Sequence, residues 1–336
     1  MSAKRKIPAT IITGFLGAGK TTLVRHLLEQ ANGRRIALII NEFGDMGVDG
    51  DLLASCGVVG CKEEDIIELA NGCLCCTVAD EFLPTIEALL DRELPPEHIV
   101  IETSGLALPK PLVKAFQWPD VRSKITVDGV VTVVDSQALS TGRFDDTPET
   151  IANHDNPLDE VFTDQLACAD MVLLNKTDLV DAAGLSALLA DLNAKVRPGV
   201  KVLPTQRGAV DPLVLLGLSA SAEDDLESRP SHHDLEDGHD HDDFESFAVA
   251  LPVMTNPQAW EANALNVIRN HDILRIKGFL AIEGKPTRQV VQAVGVRMER
   301  YFDRPWKVGE IPNSRVVVIG CNGLDRAAIE TALCTF

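Results

Sequence analysis

The fold is decided by the stretch Ile7–Thr21, which reads IPATIITGFLGAGKT. Its first seven residues are mainly apolar and predict a buried strand. The next eight match the pattern G-x-x-x-x-G-K-[ST]. A helix is predicted directly afterwards, over Thr21 to Gln30, with Leu23, Leu27 and Leu28 on its inner side. A strand, a glycine-rich loop and a helix in this order predict a P-loop nucleotide site.

The glycine-rich loop is suited to phosphate groups. Its glycines let backbone N–H groups turn inward, and the following helix adds the positive end of its dipole. Lys20 is expected to reach the β- and γ-phosphates, where it also serves catalysis, and Thr21 is expected to hold Mg²⁺ through its hydroxyl. The predicted nucleotide contacts in this loop are Gly14, Gly17, Ala18, Gly19, Lys20 and Thr21.

Further short apolar segments predict the rest of a sheet, and most are separated by helical patterns. Alternation of strands and helices predicts an α/β domain in which a mostly parallel sheet is covered on both faces. The predicted strands are Ile36–Ile40, Ile99–Ile101, Val130–Val134, Met171–Leu174 and Val200–Leu203.

The chain has 336 residues, which is enough for two domains. We expect a P-loop domain over residues 1–220 and a small α+β domain over residues 244–336. Between them, residues 221–243 hold ten acidic residues and four histidines, and this composition predicts a disordered linker. The predicted elements of the second domain are helices at Pro257–Asn270 and Asp325–Leu333 and β-rich segments at Ile273–Ile282, Val290–Tyr301 and Arg315–Ile319.

Composition excludes several classes of protein. The formal charge of −19 argues against general nucleic-acid binding, which depends on Lys and Arg. No apolar stretch approaches the ~20 residues of a membrane helix, and the N-terminus does not read as a signal peptide. We therefore expect a cytoplasmic protein, in which the eight cysteines are free thiols or metal ligands and not disulfides.

Recognition of the base is predicted at Asn175-Lys176-Thr177-Asp178, at the end of a strand. This run resembles the guanine-recognition motif of GTPases, in which the carboxylate, here Asp178, accepts two hydrogen bonds from the base. Adenine has no such donor pair and would leave the carboxylate unpaired, so GTP is favoured over ATP. The run 205–208, TQRG, is a weaker candidate for backbone contacts to the same base.

A second phosphate-side motif is Glu102-Thr103-Ser104-Gly105, after another predicted strand. Glu102 is the candidate acidic residue for Mg²⁺ and for catalysis, and Gly105 allows the backbone to approach the γ-phosphate. Leu106 stands where small GTPases place a water-positioning glutamine. Intrinsic hydrolysis is therefore expected to be slow and to depend on a partner or a bound metal.

Three cysteines, Cys73, Cys75 and Cys76, follow the turn-forming pair Asn71-Gly72. Thiolates at this density suit Zn²⁺, Co²⁺ or Cu⁺ in tetrahedral geometry. A vicinal redox disulfide and buried structural cysteines are the alternatives. Glu42 or Asp45 could supply a further ligand, either to this metal or to Mg²⁺.

The predicted linker carries a second candidate for metal binding. Its histidines alternate with acidic residues and could collect divalent ions weakly. A solvated acidic tether with incidental histidines is the alternative, because disordered ligands lose binding free energy when they become ordered. The histidines are His232, His233, His239 and His241.

The motifs GFLGAGKTT, NEFG, NGCLCCTV, ETSGLA and NKTD, in this order, are similar to those of the CobW family of metal-handling P-loop GTPases. The resemblance spans about residues 7–215, and the second domain resembles the family's C-terminal domain more loosely. It implies that Thr22 joins the P-loop contacts and that GTP and Mg²⁺ assemble a metal site at Cys73, Cys75 and Cys76. Asp45 stands where many relatives carry Glu. Segments 41–53 and 66–90 resemble members associated with cobalamin biosynthesis.

Three functional hypotheses follow from the motifs and the resemblance, of which the resemblance implies the first two. The first hypothesis is a GTP-hydrolysing metallochaperone that binds Co²⁺ in its GTP–Mg²⁺ state and delivers it to a cobaltochelatase. A zinc-allocation chaperone shares that mechanism and differs in cargo. A regulatory or assembly GTPase, in which the cysteines hold a permanent structural Zn²⁺, is the hypothesis from a different class.

Overall fold

The computed structural model describes residues 6–31, 33–41, 66–69, 82–142, 157–231, 244–271, 273–294, 297–306 and 309–335. Within these ranges the chain forms two separate sheets. Several predicted metal ligands lie outside the described residues. They are Glu42, Asp45, Cys73, Cys75, Cys76 and the histidines 232, 233, 239 and 241.

The first sheet has seven strands, and every pair of neighbours in it is parallel. Its spatial order is β3-β2-β4-β1-β5-β6-β7. The strands are β1 (Ile7–Thr13), β2 (Ile36–Asn41), β3 (Ile66–Leu69), β4 (His98–Glu102), β5 (Ile125–Asp135), β6 (Met171–Asn175) and β7 (Lys201–Pro204). The predicted α/β class is thereby confirmed, although β3 was not predicted and β5 begins at Ile125, five residues before the predicted start.

Helices accompany this sheet because its strands are apolar on both faces and must be covered. Helix α1 follows the glycine-rich loop and buries Leu23, Val24, Leu27 and Leu28. Its inner side is therefore the one that the leucine spacing predicted. The α-helices described in this part of the chain are α1 (Lys20–Glu29), α2 (Leu83–Leu90), α3 (Pro109–Ala115), α4 (Pro119–Arg122), α5 (Ser136–Ser140), α6 (Pro157–Cys168), α7 (Ala182–Lys195) and α8 (Pro212–Leu215).

Residues 221–231 differ from the predicted disordered linker. They form two 3-10 helices, Ala222–Asp224 and Leu226–Ser228, against the amino-terminal half of β5. Glu223 is fully buried and accepts hydrogen bonds from Val127 N (2.9 Å) and Thr126 Oγ1 (2.7 Å). Arg229 is also buried, and its Nη2 lies 2.6 Å from Asp170 Oδ1. The linker prediction is wrong for these residues, because their charged side chains find buried partners.

The second sheet is antiparallel, with the order β11-β10-β9-β12-β8. Its strands are β8 (Phe244–Leu251), β9 (Ile273–Leu280), β10 (Thr287–Val294), β11 (Arg297–Pro305) and β12 (Ser314–Cys321). Helices α9 (Pro257–Asn270) and α10 (Arg326–Cys334) share a core with it, in which Trp260 is fully buried. The predicted α+β class is thus confirmed. One predicted β-rich segment, Val290–Tyr301, proves to be parts of two paired strands.

Among the helices that the structure describes, none combines the length and the apolar character that a bilayer crossing requires.

Candidate nucleotide site

The glycine-rich loop leaves the carboxyl end of β1, the central strand, and two of its glycines are required by their surroundings. Gly14 has φ 131°, and a Cβ atom there would lie 2.1 Å from the carbonyl oxygen of Val133. Gly19 has φ 105°, and a Cβ atom there would lie 2.4 Å from Asn175 Nδ2. Any larger residue would therefore push the loop away from β5 or from the end of β6.

The Lys20 ammonium group is held inside this loop. Lys20 is the first residue of α1 and is buried. Its Nζ donates to the carbonyl oxygens of Gly14 (2.7 Å) and Phe15 (3.3 Å). Backbone geometry thus places a positive charge where the loop N–H groups and the start of α1 would meet a phosphate, as the motif predicts.

Thr21 and Glu102, the two residues predicted to hold Mg²⁺, lie together. Glu102 is the buried last residue of β4, which pairs with β1. Thr21 Oγ1 donates to Glu102 Oε1 at 2.7 Å. A hydroxyl and a carboxylate next to a phosphate loop are oxygen ligands of the kind that Mg²⁺ prefers. The pair therefore fits the predicted cation, which would bind between these oxygens and the nucleotide phosphates.

The loop after β4 approaches the glycine-rich loop closely at Gly105. A Cβ atom on Gly105 would lie 2.7 Å from the backbone nitrogen of Leu16. The preceding residue Thr103 donates from its backbone N to Ile12 O (2.9 Å) and from Oγ1 to Thr13 Oγ1 (3.0 Å). Gly105 thus lies beside the glycine-rich loop, and its approach to a γ-phosphate stays a prediction.

The base-recognition motif begins with two side chains that bind the phosphate loop. Asn175 Nδ2 donates to Ala18 O at 2.9 Å, and its Oδ1 accepts from Gly208 N at 3.0 Å. Lys176 has φ 60°, and its Nζ donates to Gly17 O at 2.6 Å. Asn175 and Lys176 therefore fix the phosphate loop relative to β6, while the exposed Asp178 remains on the surface.

The TQRG loop supports the motif through its backbone. The carbonyl oxygen of Thr205 accepts from both the backbone N (3.2 Å) and the Oγ1 (3.0 Å) of Thr177. Gly208 has φ 65°, and a Cβ atom on it would lie 2.9 Å from Leu23 Cα. Since Gly208 N is bonded to Asn175, this loop holds the motif in place. Its predicted contact with the base stays a prediction.

Two residues of the site were missed by sequence reasoning. Asp135, at the end of β5, binds Lys176 Nζ through Oδ2 at 2.7 Å and caps α5 by accepting from the backbone N of Gln137 and Ala138. Gln165 of α6 is fully buried and donates to the loop after β4. A strand-end aspartate before a helix is a recognisable cap signal. Nothing in the sequence near Gln165 indicates its contact.

The cysteines that the structure describes do not form a second metal centre. Cys168 is buried, and burial raises the pKa of its thiol to about 11, which keeps it protonated. Cys321 and Cys334 are the other described cysteines. In the described ranges no three His, Cys, Asp or Glu side chains are grouped to hold a metal ion. The motif at 73–76 lies outside these ranges, and its role as a metal site stays a prediction.

Comparison with known families agrees with this geometry. Residues 8–204 match the model of the CobW/HypB/UreG nucleotide-binding domain, and residues 244–336 match that of the cobalamin synthesis protein cobW C-terminal domain.

Three curated relatives cover nearly the whole chain. The "Zinc chaperone CobW" of Sinorhizobium sp. is 52% identical over 98% of this chain and 96% of its own length. The protein of the same name from Pseudomonas aeruginosa is 51% identical over 100% and 92%, and the "Zinc chaperone YjiA" of Escherichia coli is 32% identical over 94% of each chain. The chain therefore belongs to the CobW family of P-loop GTPases, and it carries both the nucleotide-binding and the C-terminal domain of that family.

Proposed function

We propose that this protein is a GTP-dependent zinc chaperone, in which GTP and Mg²⁺ raise the affinity of Cys73, Cys75 and Cys76 for Zn²⁺ and hydrolysis lowers it. The observation that carries the nucleotide part is the Thr21–Glu102 hydrogen bond of 2.7 Å beside the buried Lys20. This hydrogen bond supports the proposal that an oxygen pair for the cation and a positive charge for the phosphates act at the carboxyl end of β1 and β4. The metal part is supported by the names of the half-identical relatives.

Each residue of the site has a distinct task in this proposal. Lys20 and the loop N–H groups neutralise the phosphates, and bound Mg²⁺ would supply further positive charge to the β- and γ-oxygens. Thr21 and Glu102 would hold that ion. Asp178 reads the guanine edge, while Asn175 and Lys176 keep the base-binding loop in register with the phosphate loop.

Strand register supports a link between nucleotide and cargo. Ile40 of β2 lies opposite Glu102, and Asn41 lies opposite Leu69, the last residue of β3. Glu42 follows Asn41 directly in the sequence, and Cys73 follows Leu69 by four residues, a reach of at most about 14 Å. The predicted cargo ligands thus follow strands that end at the same edge of the sheet as the predicted Mg²⁺ ligand. Segments at such an edge can bias one another's binding, and the coupling is reciprocal.

The choice of zinc replaces the Co²⁺ favoured by the sequence analysis. The two relatives at 51–52% identity are both named as zinc chaperones. Thiolate sites also bind Zn²⁺ more tightly than Co²⁺ at equal availability. A cobaltochelatase client depends on cobalt as the cargo, so it is not included in the proposal.

A competitive titration of Zn²⁺ against Co²⁺ tests the proposal in the presence of GTP, GDP or a non-hydrolysable GTP analogue, each with Mg²⁺. We expect the analogue to tighten Zn²⁺ binding at least about tenfold relative to GDP, which is within the usual range of coupling between two sites. The triple variant C73S/C75S/C76S should lose this effect. The control C321S, which changes a cysteine of β12, should keep it.

Two results would contradict the proposal. Equal Zn²⁺ affinity in every nucleotide state would favour a structural zinc ion in a regulatory GTPase. If GTP tightened the binding of Co²⁺ but not of Zn²⁺, the result would favour the cobalt hypothesis. ATP in place of GTP serves as a further control and should have no effect, because Asp178 would face adenine without a donor pair.

A further inference from the structure

Gln165 connects helix α6 to the loop that follows β4. Its side chain is fully buried, and Nε2 donates to the carbonyl oxygens of Gly105 (3.2 Å) and Ala107 (3.1 Å). Its own backbone carbonyl accepts from Thr132 Oγ1 of β5 at 2.8 Å. The residue is therefore anchored on the sheet and directs both amide hydrogens to one loop.

The peptide between Gly105 and Leu106 is held at both of its polar groups. Gln165 binds the carbonyl oxygen, and Ser104 Oγ accepts from Leu106 N at 3.3 Å. On its other side Gly105 lies so close to Leu16 of the phosphate loop that no Cβ atom would fit. The position of Gly105 against the phosphate loop is thus set by three contacts, of which Gln165 supplies one.

A buried amide at position 165 lowers the folding stability, so packing alone does not explain why a glutamine is found there. Its Oε1 is buried without a hydrogen-bond partner among the residues that the structure describes. A buried carbonyl without a donor lowers stability, and an apolar side chain of similar volume would avoid that loss. The side chain contributes its two donated bonds to the loop, and both end on the segment nearest the predicted γ-phosphate.

We infer that Gln165 is a positioning residue for GTP hydrolysis, which holds Gly105 where its backbone meets the γ-phosphate. The inference rests on the GTPase function proposed above. Gln165 does not activate water itself, because it is fully buried and its amide hydrogens are bound to carbonyl oxygens. Leu106 has no polar side chain that could orient the attacking water. Hydrolysis therefore depends more on the position of the loop backbone at the γ-phosphate.

The variant Gln165→Met tests this, because it keeps the volume of the side chain and removes both donors. We expect kcat for GTP hydrolysis to fall about tenfold to a hundredfold, as misplacement of a reacting group does. GDP has no γ-phosphate, so its Kd should change less than about twofold, while the Kd of a non-hydrolysable GTP analogue should rise. The matched control Leu166→Met, at the next position of the same helix, alters buried packing without removing a donor to the loop and should hydrolyse GTP at a nearly normal rate.

A double-mutant cycle with Ser104→Ala adds a readout that a general loss of stability would not change. Both side chains hold the same peptide, so the rate losses of Q165M and S104A should combine to less than their product. If Q165M does not fold, Gln165→Asn and S104A carry the test. Each should lower kcat while GDP binding persists.

The inference is overturned if Q165M hydrolyses GTP at the normal rate, or if its GDP affinity falls as much as its kcat. It is also overturned if L166M loses the same activity, since the effect would then belong to helix α6 as a whole. If the unsubstituted protein bound GTP but did not hydrolyse it, the proposed function itself would be contradicted.

Discussion

Asp135 shows how a single carboxylate can hold two parts of a nucleotide site. Its side chain is almost fully buried, binds Lys176 Nζ at 2.7 Å and caps α5 through Oδ1. Lys176 in turn binds Gly17 of the phosphate loop at 2.6 Å. Asp135 therefore fixes Lys176 relative to the phosphate loop, which reduces the ordering that nucleotide binding must supply.

The variant Asp135→Asn should weaken binding of both GTP and GDP. An asparagine keeps the capping oxygen but loses the charge that holds Lys176, which is about one-quarter exposed. We expect the binding free energy of each nucleotide to weaken by about 1–2 kcal/mol, so that its Kd rises roughly tenfold. Titration with a fluorescent guanine nucleotide measures it. Asp191→Asn removes an equivalent charge from the exposed pair with Lys195 and should leave Kd unchanged; equal effects of the two variants would contradict the assignment.

The segment 221–231 acts as a structural element of the first sheet's domain. The Glu223 carboxylate accepts hydrogen bonds from Val127 N and Thr126 Oγ1 of β5. Just before this segment, the backbone N–H groups of Gly217, Leu218 and Ser219 donate to Asp128, which is also in β5. These contacts involve residues in the first half of β5, away from the nucleotide site at its carboxyl end. The segment should therefore contribute to stability and not to nucleotide binding.

Removal of the Glu223 carboxylate tests this role. Glu223→Ala leaves the buried Val127 N–H without its acceptor, and such a group costs about 1–3 kcal/mol of unfolding free energy. At that loss Tm should fall by several degrees. Glu227→Ala, on the exposed side of the same segment, should have no effect. A normal Tm for E223A, measured by thermal denaturation, would show that the segment does not stabilise the domain.

The stability of the molecule should also depend on pH through His98, at the start of β4. Burial lowers the pKa of His98 to about 4, with Arg34 acting in the same direction and Asp128 against it. Below the ordinary pKa of 6.5 the unfolded chain binds a proton that the folded His98 does not accept. Folding therefore loses stability as the pH falls from about 6.5 to 4, by up to about 3 kcal/mol, and gains nothing from this group above pH 6.5.

Urea denaturation at pH 7.5 and pH 5 measures this loss. His98→Asn should reduce the difference between the two pH values, although it also alters the 2.8 Å contact with Thr10 Oγ1 and so lowers stability at both. His26→Gln, at a partly exposed site, should keep the full difference. An unchanged pH dependence in H98N would assign the acid sensitivity to other groups.

Short sequence motifs were sufficient to predict those parts of the site whose residues are close together in the sequence. The glycine loop, Glu102 and Asn175–Asp178 were all predicted, because parallel strands bring their carboxyl ends to one edge wherever the motifs fall. Strand β5 was predicted too short because Asp128 and Gly129 interrupt its apolar run, although the structure satisfies Asp128 with three backbone N–H groups.

The sequence alone established a P-loop domain and predicted a guanine-type recognition motif and a cysteine motif for metal, because each depends on residue type and short spacing. The contacts of Gln165 with Gly105 and Ala107, of Asp135 with Lys176 and of Glu223 with β5 are decided by the fold. Each joins residues more than 40 positions apart in the sequence, and only the packing of helices and loops against the sheet makes those side chains neighbours.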